Sequence, residues 1–179
     1  MIAIIGIILA TGILLIWDNI IPTIRADAAS QLVVSQLQQA RQAALDQRRP
    51  FILSFQGTNE ILMQRVEFDP SSGLATGVVT TMGRYFLPHG MTYMVFPSLG
   101  STPDGFSPNP SHLVNFGGYT RLNFQSDGTV LLYPSSTSVL ANGAVFMGIE
   151  GKATTARVVS VWGATGTIRS YRSDGVRFH

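Results

Sequence analysis

The chain has 179 residues, of which 45% are hydrophobic and only 12% are charged, and its formal net charge is +2. It contains no cysteine, which excludes disulfides, thiolate metal sites and cysteine catalysis. The charged fraction is about half of that in an ordinary soluble domain. A surface so poor in charge suits a subunit packed against copies of itself better than a free cytosolic monomer.

The first element is an apolar run from Met1 to Trp17, with no charged residue before Asp18 and none after it until Arg25. A helix rises about 1.5 Å per residue, so this run nearly spans a bilayer core of about 30 Å. A cleaved signal peptide would need a basic start, which is missing, although Ala26-Asp27-Ala28 resembles a cleavage site. A plain membrane anchor is a second interpretation. The third is a helix that leaves the membrane and becomes buried among like helices.

Residues 27–49 continue the helical pattern but are amphipathic, because apolar residues recur at helical spacing among Gln and Arg: Val33, Leu37, Ala40 and Ala44. Pro50 should end the helix, and Pro22 should kink or locally unwind it. The sequence therefore predicts one helix of roughly 48 residues, about 70 Å long. Its apolar first half, residues 1–24, is called the stalk below, and residues 25–49 form the amphipathic half.

Residues 50–179 change to short β-forming runs separated by Gly, Pro, Asn, Asp and Ser. The predicted strands are 51–56, 61–68, 77–81, 84–87, 92–96, 121–124, 129–133, 143–148, 155–162 and 167–171. Residues 97–120 are rich in Pro, Ser, Gly and Asn and are predicted to form a long surface loop. The fold class is therefore α+β, with a long N-terminal helix packed on an antiparallel β-sheet domain.

Catalytic and metal-binding patterns are missing from the sequence, so we expect neither an enzyme nor a cofactor. The three histidines are far apart: His89, His112 and His179. Since the last is terminal, we expect it to be disordered. No nucleophile elbow or phosphate loop occurs. Asp69 and Asp127 stand in turn sequences, where Asp commonly accepts local hydrogen bonds, and Asp104 has no evident partner.

Two stretches rich in Ser, Thr and Pro, residues 98–111 and 135–138, have the composition of O-glycosylation sites. The candidate acceptors are Ser135, Ser136 and Thr137. Asn109-Pro110-Ser111 is not an N-glycosylation site, because proline occupies its middle position. Ordinary polar loops are the alternative interpretation of both stretches.

Four features stand in a characteristic order along the chain. They are the apolar start at 1–9, Leu-Gln-Gln-Ala-Arg-Gln-Ala-Ala at 37–44, Leu-Asn-Phe-Gln-Ser-Asp-Gly at 122–128, and a closing hairpin at 155–169 that ends in Gly-Thr-Ile-Arg. Together they resemble type IV pilin-like proteins, and specifically the pseudopilin H/FimT branch. The resemblance covers most of the chain and is weakest over residues 74–120.

The sequence departs from this family in two places. Family members begin with a short basic leader, a Gly cleavage point and, a few residues later, an acid, whereas here position 5 is Ile5. We expect the leader and the acid to lie upstream of Met1. FimT-like members carry Gly-Arg-x-Arg in the closing hairpin, whereas here Thr167 occupies the first Arg position.

The resemblance implies a structural subunit of a type IV pilus-like or type II secretion-like filament, methylated as in the family. The stalk would lie in the bacterial inner membrane first, and assembly machinery would then transfer it into an extracellular or periplasmic homopolymer. Small and aliphatic side chains would pack the filament core: Ile4, Ile5, Gly6, Ile8, Leu9, Gly12, Leu15 and Ile16. Whether such a filament serves adhesion, motility, secretion or DNA uptake stays open.

An alternative implied by the FimT likeness is a minor tip subunit that binds DNA during natural transformation. Residues 150–179 carry five cations against two carboxylates, a net charge of +3. The candidate DNA contacts are Arg157, Arg169, Arg172 and Arg177. The same arginines could instead keep an exposed strand soluble or pair with a neighbouring subunit. A monomeric, membrane-anchored binding module is a third possibility.

Overall fold

The structure is a computed structural model that describes residues 20–69, 71–134 and 138–179. Within these ranges, helix α1 spans the 27 residues Ile21–Gln47. Ala, Gln, Leu and Arg favour this conformation, and no Gly or Pro follows Pro22 within it. The helix ends because Arg48 adopts the left-handed conformation, with φ of 50°, and Pro50 follows. The end therefore lies two residues before the predicted one.

One stripe of α1 is buried in the domain, as the amphipathic pattern predicts. Its members are Pro22, Ala26, Ala29, Ser30, Val33, Gln36, Leu37, Ala40 and Ala44. Most of these side chains are small, so the helix lies close to the strands beneath it. The predicted stripe, which included Val33, Leu37, Ala40 and Ala44, is confirmed.

The strands that follow are, in chain order, β1 (Phe51–Gln56), β2 (Glu60–Phe68), β3 (Ala75–Phe86), β4 (Thr92–Tyr93), β5 (Val114–Asn115), β6 (Arg121–Phe124), β7 (Val130–Leu132), β8 (Gly143–Ile149), β9 (Lys152–Trp162) and β10 (Thr167–Arg172). They form two antiparallel sheets rather than one. The first has the order β3-β2-β1-β6-β7, and the second has the order β10-β9-β8-β4, with β5 also pairing with β8.

The main core lies where α1 meets one face of each sheet. Its strand residues include Phe51, Leu53 and Phe55 from β1 and Val159 and Val161 from β9. A smaller cluster lies on the other face of the second sheet and contains Leu99, Ala144, Phe146, Ala156, Val158 and Phe178. Alternate residues of β8 and β9 thus point to different clusters, as the period of two in a strand requires.

The stretch predicted as a long surface loop, residues 97–120, is more ordered than its composition indicates. It contains a short 3₁₀ helix, Pro97–Leu99, and strand β5. Leu99, Thr102 and Phe116 are buried. Most of its residues are nonetheless irregular and exposed or half-exposed, so the segment is still a long loop, one part of which covers the outer face of the second sheet and the smaller cluster.

The weak predicted strands 77–81 and 84–87 are parts of one strand, β3. Its register against β2 shifts between Met63 and Gln64 and again between Val66 and Phe68. Such bulges insert extra residues and interrupt the alternation of side chains. This interruption explains why the sequence pattern predicted two strands where the structure has one.

Several predictions fall on residues outside the described ranges. These are the filament-core positions from Ile4 to Ile16 and the glycosylation candidates Ser135, Ser136 and Thr137. A kink at Pro22 involves the same undescribed N-terminal segment and stays a prediction. Within the described ranges, no helix is both long and apolar enough to cross a membrane.

Candidate functional site

The arginines of the closing hairpin were the candidate contacts for DNA, and the structure gives each a different environment. Arg157, on β9, is only 3% exposed. Its Nε donates to Asp27 Oδ1 on α1 at 2.7 Å, and its Nη1 donates to the carbonyls of Thr154 and Ala156 at 2.9 Å each. This guanidinium joins the helix to the sheet, and its part in DNA binding stays a prediction.

Arg172 lies opposite Arg157 in the antiparallel pairing of β9 with β10, so the two side chains share the helix-facing side of the sheet. Arg172 is exposed, and its Nε lies 3.2 Å from Nε2 of His179. The backbone groups of these two residues also exchange hydrogen bonds of 3.1 and 3.0 Å. His179 is therefore held by β10, contrary to the expected terminal disorder.

Arg169 lies on the opposite side of the sheet from Arg172. Its Nη1 donates to Asp104 Oδ1 at 2.8 Å, and Ser160 Oγ donates to Asp104 Oδ2 at 2.6 Å. The Asp104 side chain is only 5% exposed, whereas that of Arg169 is 56% exposed. Asp104, for which the sequence showed no partner, thus ties the segment between β4 and β5 to β9 and β10.

Burial and hydrogen bonding have opposite effects on the pKa of Asp104. Burial raises its pKa, but hydrogen bonds from Ser160, Tyr171 and Arg169, together with the charge of Arg169, outweigh this and hold the pKa below its ordinary value of 3.8. The same environment raises the pKa of Tyr171, chiefly by burial. The ionised form of Asp104 is therefore the one that the fold stabilises.

We expect Asp104→Asn to lower the free energy of unfolding at pH 7. The free energy of unfolding of this variant should also fall less than that of the parent as the pH is lowered. The folded pKa is below the unfolded value, so the stabilisation by Asp104 is present above pH 3.8 and is lost as the pH falls through the folded pKa. Denaturation of the parent and the variant between pH 7 and pH 2 measures this difference. If the free energies of unfolding of the parent and the variant differ by the same amount at every pH in that range, ionised Asp104 does not stabilise the fold.

The exposed arginines of the closing hairpin do not lie on one face of the sheet. Residues alternate between faces along a strand, so Arg169 and Arg172 lie on opposite sides of β10. Arg177 is exposed in the C-terminal turn beyond β10. The three available cations therefore face different directions, and one of them is already paired with Asp104.

Three of the four sequence features meet at one point of the structure. Arg41 of α1 donates from Nη2 to the carbonyl of Thr165 at 3.1 Å. Gly128 is in the turn between β6 and β7, and Gly166, in the turn between β9 and β10, has φ of +62°. A Cβ on Gly166 would lie 2.5 Å from Gly128 O and 2.6 Å from Arg41 Nε. These positions therefore join the helix to two hairpins and have a structural role.

The two aspartates predicted to support turns do so. Asp69 Oδ1 accepts hydrogen bonds from the backbone N–H and the hydroxyl of Ser71 at 2.9 and 2.7 Å. Asp127 Oδ1 accepts the equivalent pair from Thr129 at 2.8 and 2.7 Å. These hydrogen bonds hold the pKa of both carboxyls below its ordinary value. Among the described residues, no group of three His, Asp or Glu side chains is placed to hold a metal ion.

Two large apolar side chains are exposed at the first described turns of α1. Ile20 is itself in the helical conformation, with φ of −80° and ψ of −47°. Ile20 and Ile24 are 52% and 60% exposed.

No family model matches the sequence, and no curated protein matches it. Among solved structures, it is similar to the type IV minor pilin FimU of Pseudomonas aeruginosa, with 16% identity over 86% of this chain and 91% of FimU and a TM-score of 0.48. It is also similar to the minor pseudopilin EpsH of the type 2 secretion system of Vibrio cholerae. There the identity is 15%, over 83% of this chain and 97% of EpsH, with a TM-score of 0.48.

Proposed function

We propose that this chain is a pilin-like structural subunit that polymerises through its apolar stalk into a helical filament. The filament is of the type IV pilus or type II secretion kind. The stalk lies in the inner membrane before assembly, and the pilus or secretion machinery then transfers it into an extracellular or periplasmic polymer. No enzymatic step is part of this role.

The observation that carries the proposal is the exposed apolar surface at the first described turns of α1. The domain buries one stripe of the helix downstream of Pro22 but leaves Ile20 and Ile24 exposed. Further upstream, beyond Asp18 and Asn19, the sequence from Met1 to Trp17 has no charged residue. A helix that continued into this sequence would carry an apolar surface that requires a bilayer or other stalks.

The energetics of such a stalk favour assembly. Burying about 20 residues at roughly 100 Å² each removes on the order of 2,000 Å² of apolar surface from water, worth tens of kcal/mol at about 25 cal/mol per Å² before entropy costs. Lipid tails are as apolar as the side chains, so the gain relative to the membrane is far smaller. Gly6 and Gly12 would allow close approach of neighbouring helices. A head-to-tail contact of this kind builds an open helix.

Cysteine cross-linking tests the stalk contact, because the parent chain has no cysteine. We expect the double variant Ile8→Cys/Leu15→Cys, produced together with an assembly machinery and treated with a short bismaleimide, to give a ladder of multimers. The matched control is the double variant Ser72→Cys/Ser126→Cys in two exposed turns of the domain.

The same stalk variant dissolved in detergent supplies the second control, since separated subunits should stay monomeric. A ladder that appears from the assembled stalk variant and disappears in detergent supports the proposal. If the assembled stalk variant stays monomeric while it is well expressed, packing through the stalk is refuted.

The DNA-binding tip subunit stays a prediction of the FimT likeness. Its predicted contacts are Arg157, Arg169, Arg172 and Arg177, of which Arg157 is buried in its ion pair with Asp27. Their placement on different sides of the closing hairpin does not favour one continuous phosphate-binding surface. We therefore propose the filament subunit alone.

A further inference from the structure

The outer strand of the first sheet, β3, is exposed along its whole length. It has 12 residues, about twice the usual length of a strand, and none of them is buried. Four large apolar side chains along this edge are exposed by between 46% and 70%: Leu74, which directly precedes the strand, Val78, Met82 and Phe86. A long, exposed and apolar edge strand is a template for pairing with another chain.

The other outer strands of the two sheets are protected against such pairing. β7 and β4 have only three and two residues. β10 carries two arginines, and its last residue, Arg172, exchanges backbone hydrogen bonds with His179. Short length, charge and a covering segment are the means by which sheet edges avoid pairing. β3 has none of these and is therefore the edge that remains open.

The neighbour of β3 also lacks cover over its second half. Ile61, Leu62 and Met63 of β2 are buried, whereas residues 64–68 are only half-buried. Beyond Met63, the ribbon of β2 and β3 therefore has no buried residue among those that the structure describes. A two-stranded ribbon alone is marginally stable in water, so a further strand or layer would stabilise this one.

The charge of β3 favours a second copy of the strand as its partner. Arg84 is its one charged side chain, and Nη1 of this residue lies 3.2 Å from Oε1 of Glu60 on β2. An edge whose only cation is already paired gives little attraction to a nucleic acid or an acidic protein. The low charged fraction of the chain, 12%, likewise suits contact between copies.

An antiparallel pair of β3 strands brings no like charges together. Pairing over the full length of Ala75–Phe86 places the twofold axis between Thr80 and Thr81. Arg84 of each copy then lies opposite Gly77 rather than opposite a second arginine, whose charge would oppose the pairing. The strand is therefore compatible with its own copy in this direction.

The side chains nearest to this axis are apolar or hydroxylated. Val79 lies opposite Met82, and Thr80 lies opposite Thr81. Cross-strand pairs of these kinds stabilise a sheet. The two bulges of β3 interrupt its ladder, so we expect packing of these side chains to contribute more than continuous hydrogen bonding.

We propose that β3 binds β3 of a second copy of this chain in an antiparallel contact with twofold symmetry. The strand is about 40 Å long, and a contact about 10 Å wide along it covers roughly 400 Å² on each copy. The total of roughly 800 Å² is below the standard size of a stable interface, so the pairing is weak. A twofold contact closes after two copies, so it is separate from the head-to-tail stalk contact and does not depend on it.

A single cysteine tests this contact, because the parent chain has none and only a residue near a twofold axis meets its own counterpart. The full chain with Thr80→Cys is dissolved in detergent, with many more micelles than chains, and oxidised mildly. We expect a disulfide-linked dimer, since a disulfide needs two Cα atoms within about 7 Å.

Two matched controls separate the pairing from random collisions. Ser170→Cys places an equally exposed cysteine on β10 and should give at least about fivefold less dimer. Ala75→Cys, at the start of β3, should give as little. An antiparallel pair separates it from its own counterpart by nearly the length of the strand.

A charge placed on β3 tests the apolar contact itself. In the Thr80→Cys background, Val78→Asp should reduce the dimer at least about fivefold, because it adds a buried like charge from each copy. Val176→Asp adds the same charge at a valine that is 76% exposed in the C-terminal turn, and it should leave the dimer unchanged. Unfolding curves show whether these variants keep the parent fold.

Three results overturn the proposal. They are equal dimer yields from Thr80→Cys and Ser170→Cys, equal yields from Thr80→Cys and Ala75→Cys, and a Thr80→Cys dimer that Val78→Asp leaves unchanged. The first shows that collisions or shared micelles suffice, and the second shows that the strands are not antiparallel. The third shows that the apolar edge of β3 is not the contact.

Discussion

Gly166→Ala is expected to destabilise the protein by about 2–5 kcal/mol. Two costs combine at this position. The residue has φ of +62°, a conformation that costs an L-residue about 1–2 kcal/mol. The new Cβ would also lie 2.5 Å from Gly128 O and 2.6 Å from Arg41 Nε, and overpacking of this kind costs about 1–3 kcal/mol. Gly128 O belongs to the backbone of a tight turn and cannot easily retreat.

Gly151→Ala is the matched control for this effect. Gly151 has φ of +74°, but a Cβ there would meet nothing within 4 Å, so only the backbone cost of about 1–2 kcal/mol applies. Denaturant unfolding of the full chain in detergent, followed by tryptophan fluorescence, measures both variants. Equal losses of stability in the two would show that the junction of Arg41, Gly128 and Gly166 is not tightly packed.

Asp27→Ala is expected to cost more stability than Arg157→Met, although both variants break the same ion pair. Arg157 is 3% exposed and Asp27 is 50% exposed. Removing Asp27 leaves a charged guanidinium buried without its counter-ion, which we expect to cost about 2–4 kcal/mol. Removing Arg157 leaves a carboxylate that water already reaches, and methionine replaces much of the apolar stem, so about 1–2 kcal/mol is expected.

A double-mutant cycle tests the cause of this difference between the two variants. In the Arg157→Met background, Asp27→Ala should be almost neutral, because no buried charge remains to be stranded. The measurement is the free energy of unfolding of the parent, the two single variants and the double variant. If Asp27→Ala costs the same in both backgrounds, the two residues are not coupled across the helix–sheet interface.

The local features of the fold follow from the sequence. The amphipathic stripe through Val33 and Leu37 placed the buried face of α1, because helical periodicity directly reflects which side meets the core. The hairpin of β6 and β7 was also predictable, since Asp127 and Gly128 specify its turn. These elements depend on neighbours within a few residues of each other.

The arrangement around the arginines could not be predicted, because it depends on distant contacts. Arg157 meets Asp27 across 130 residues of sequence, and Arg169 meets Asp104 across 65. Nothing in the local pattern of β10 shows which of its arginines faces the helix and which faces the segment between β4 and β5. The division of the strands into two sheets is likewise a property of the topology, and it decides both contacts.

Imaging of the purified assembly by electron microscopy tests the central claim most directly. Produced together with an assembly machinery, the parent chain should form long helical homopolymers. Leu9→Asp, which places a charge in the stalk, should give none, while its domain keeps the unfolding behaviour of the parent. Parent chains found only as monomers, or only at the tips of filaments built from another subunit, would contradict the account.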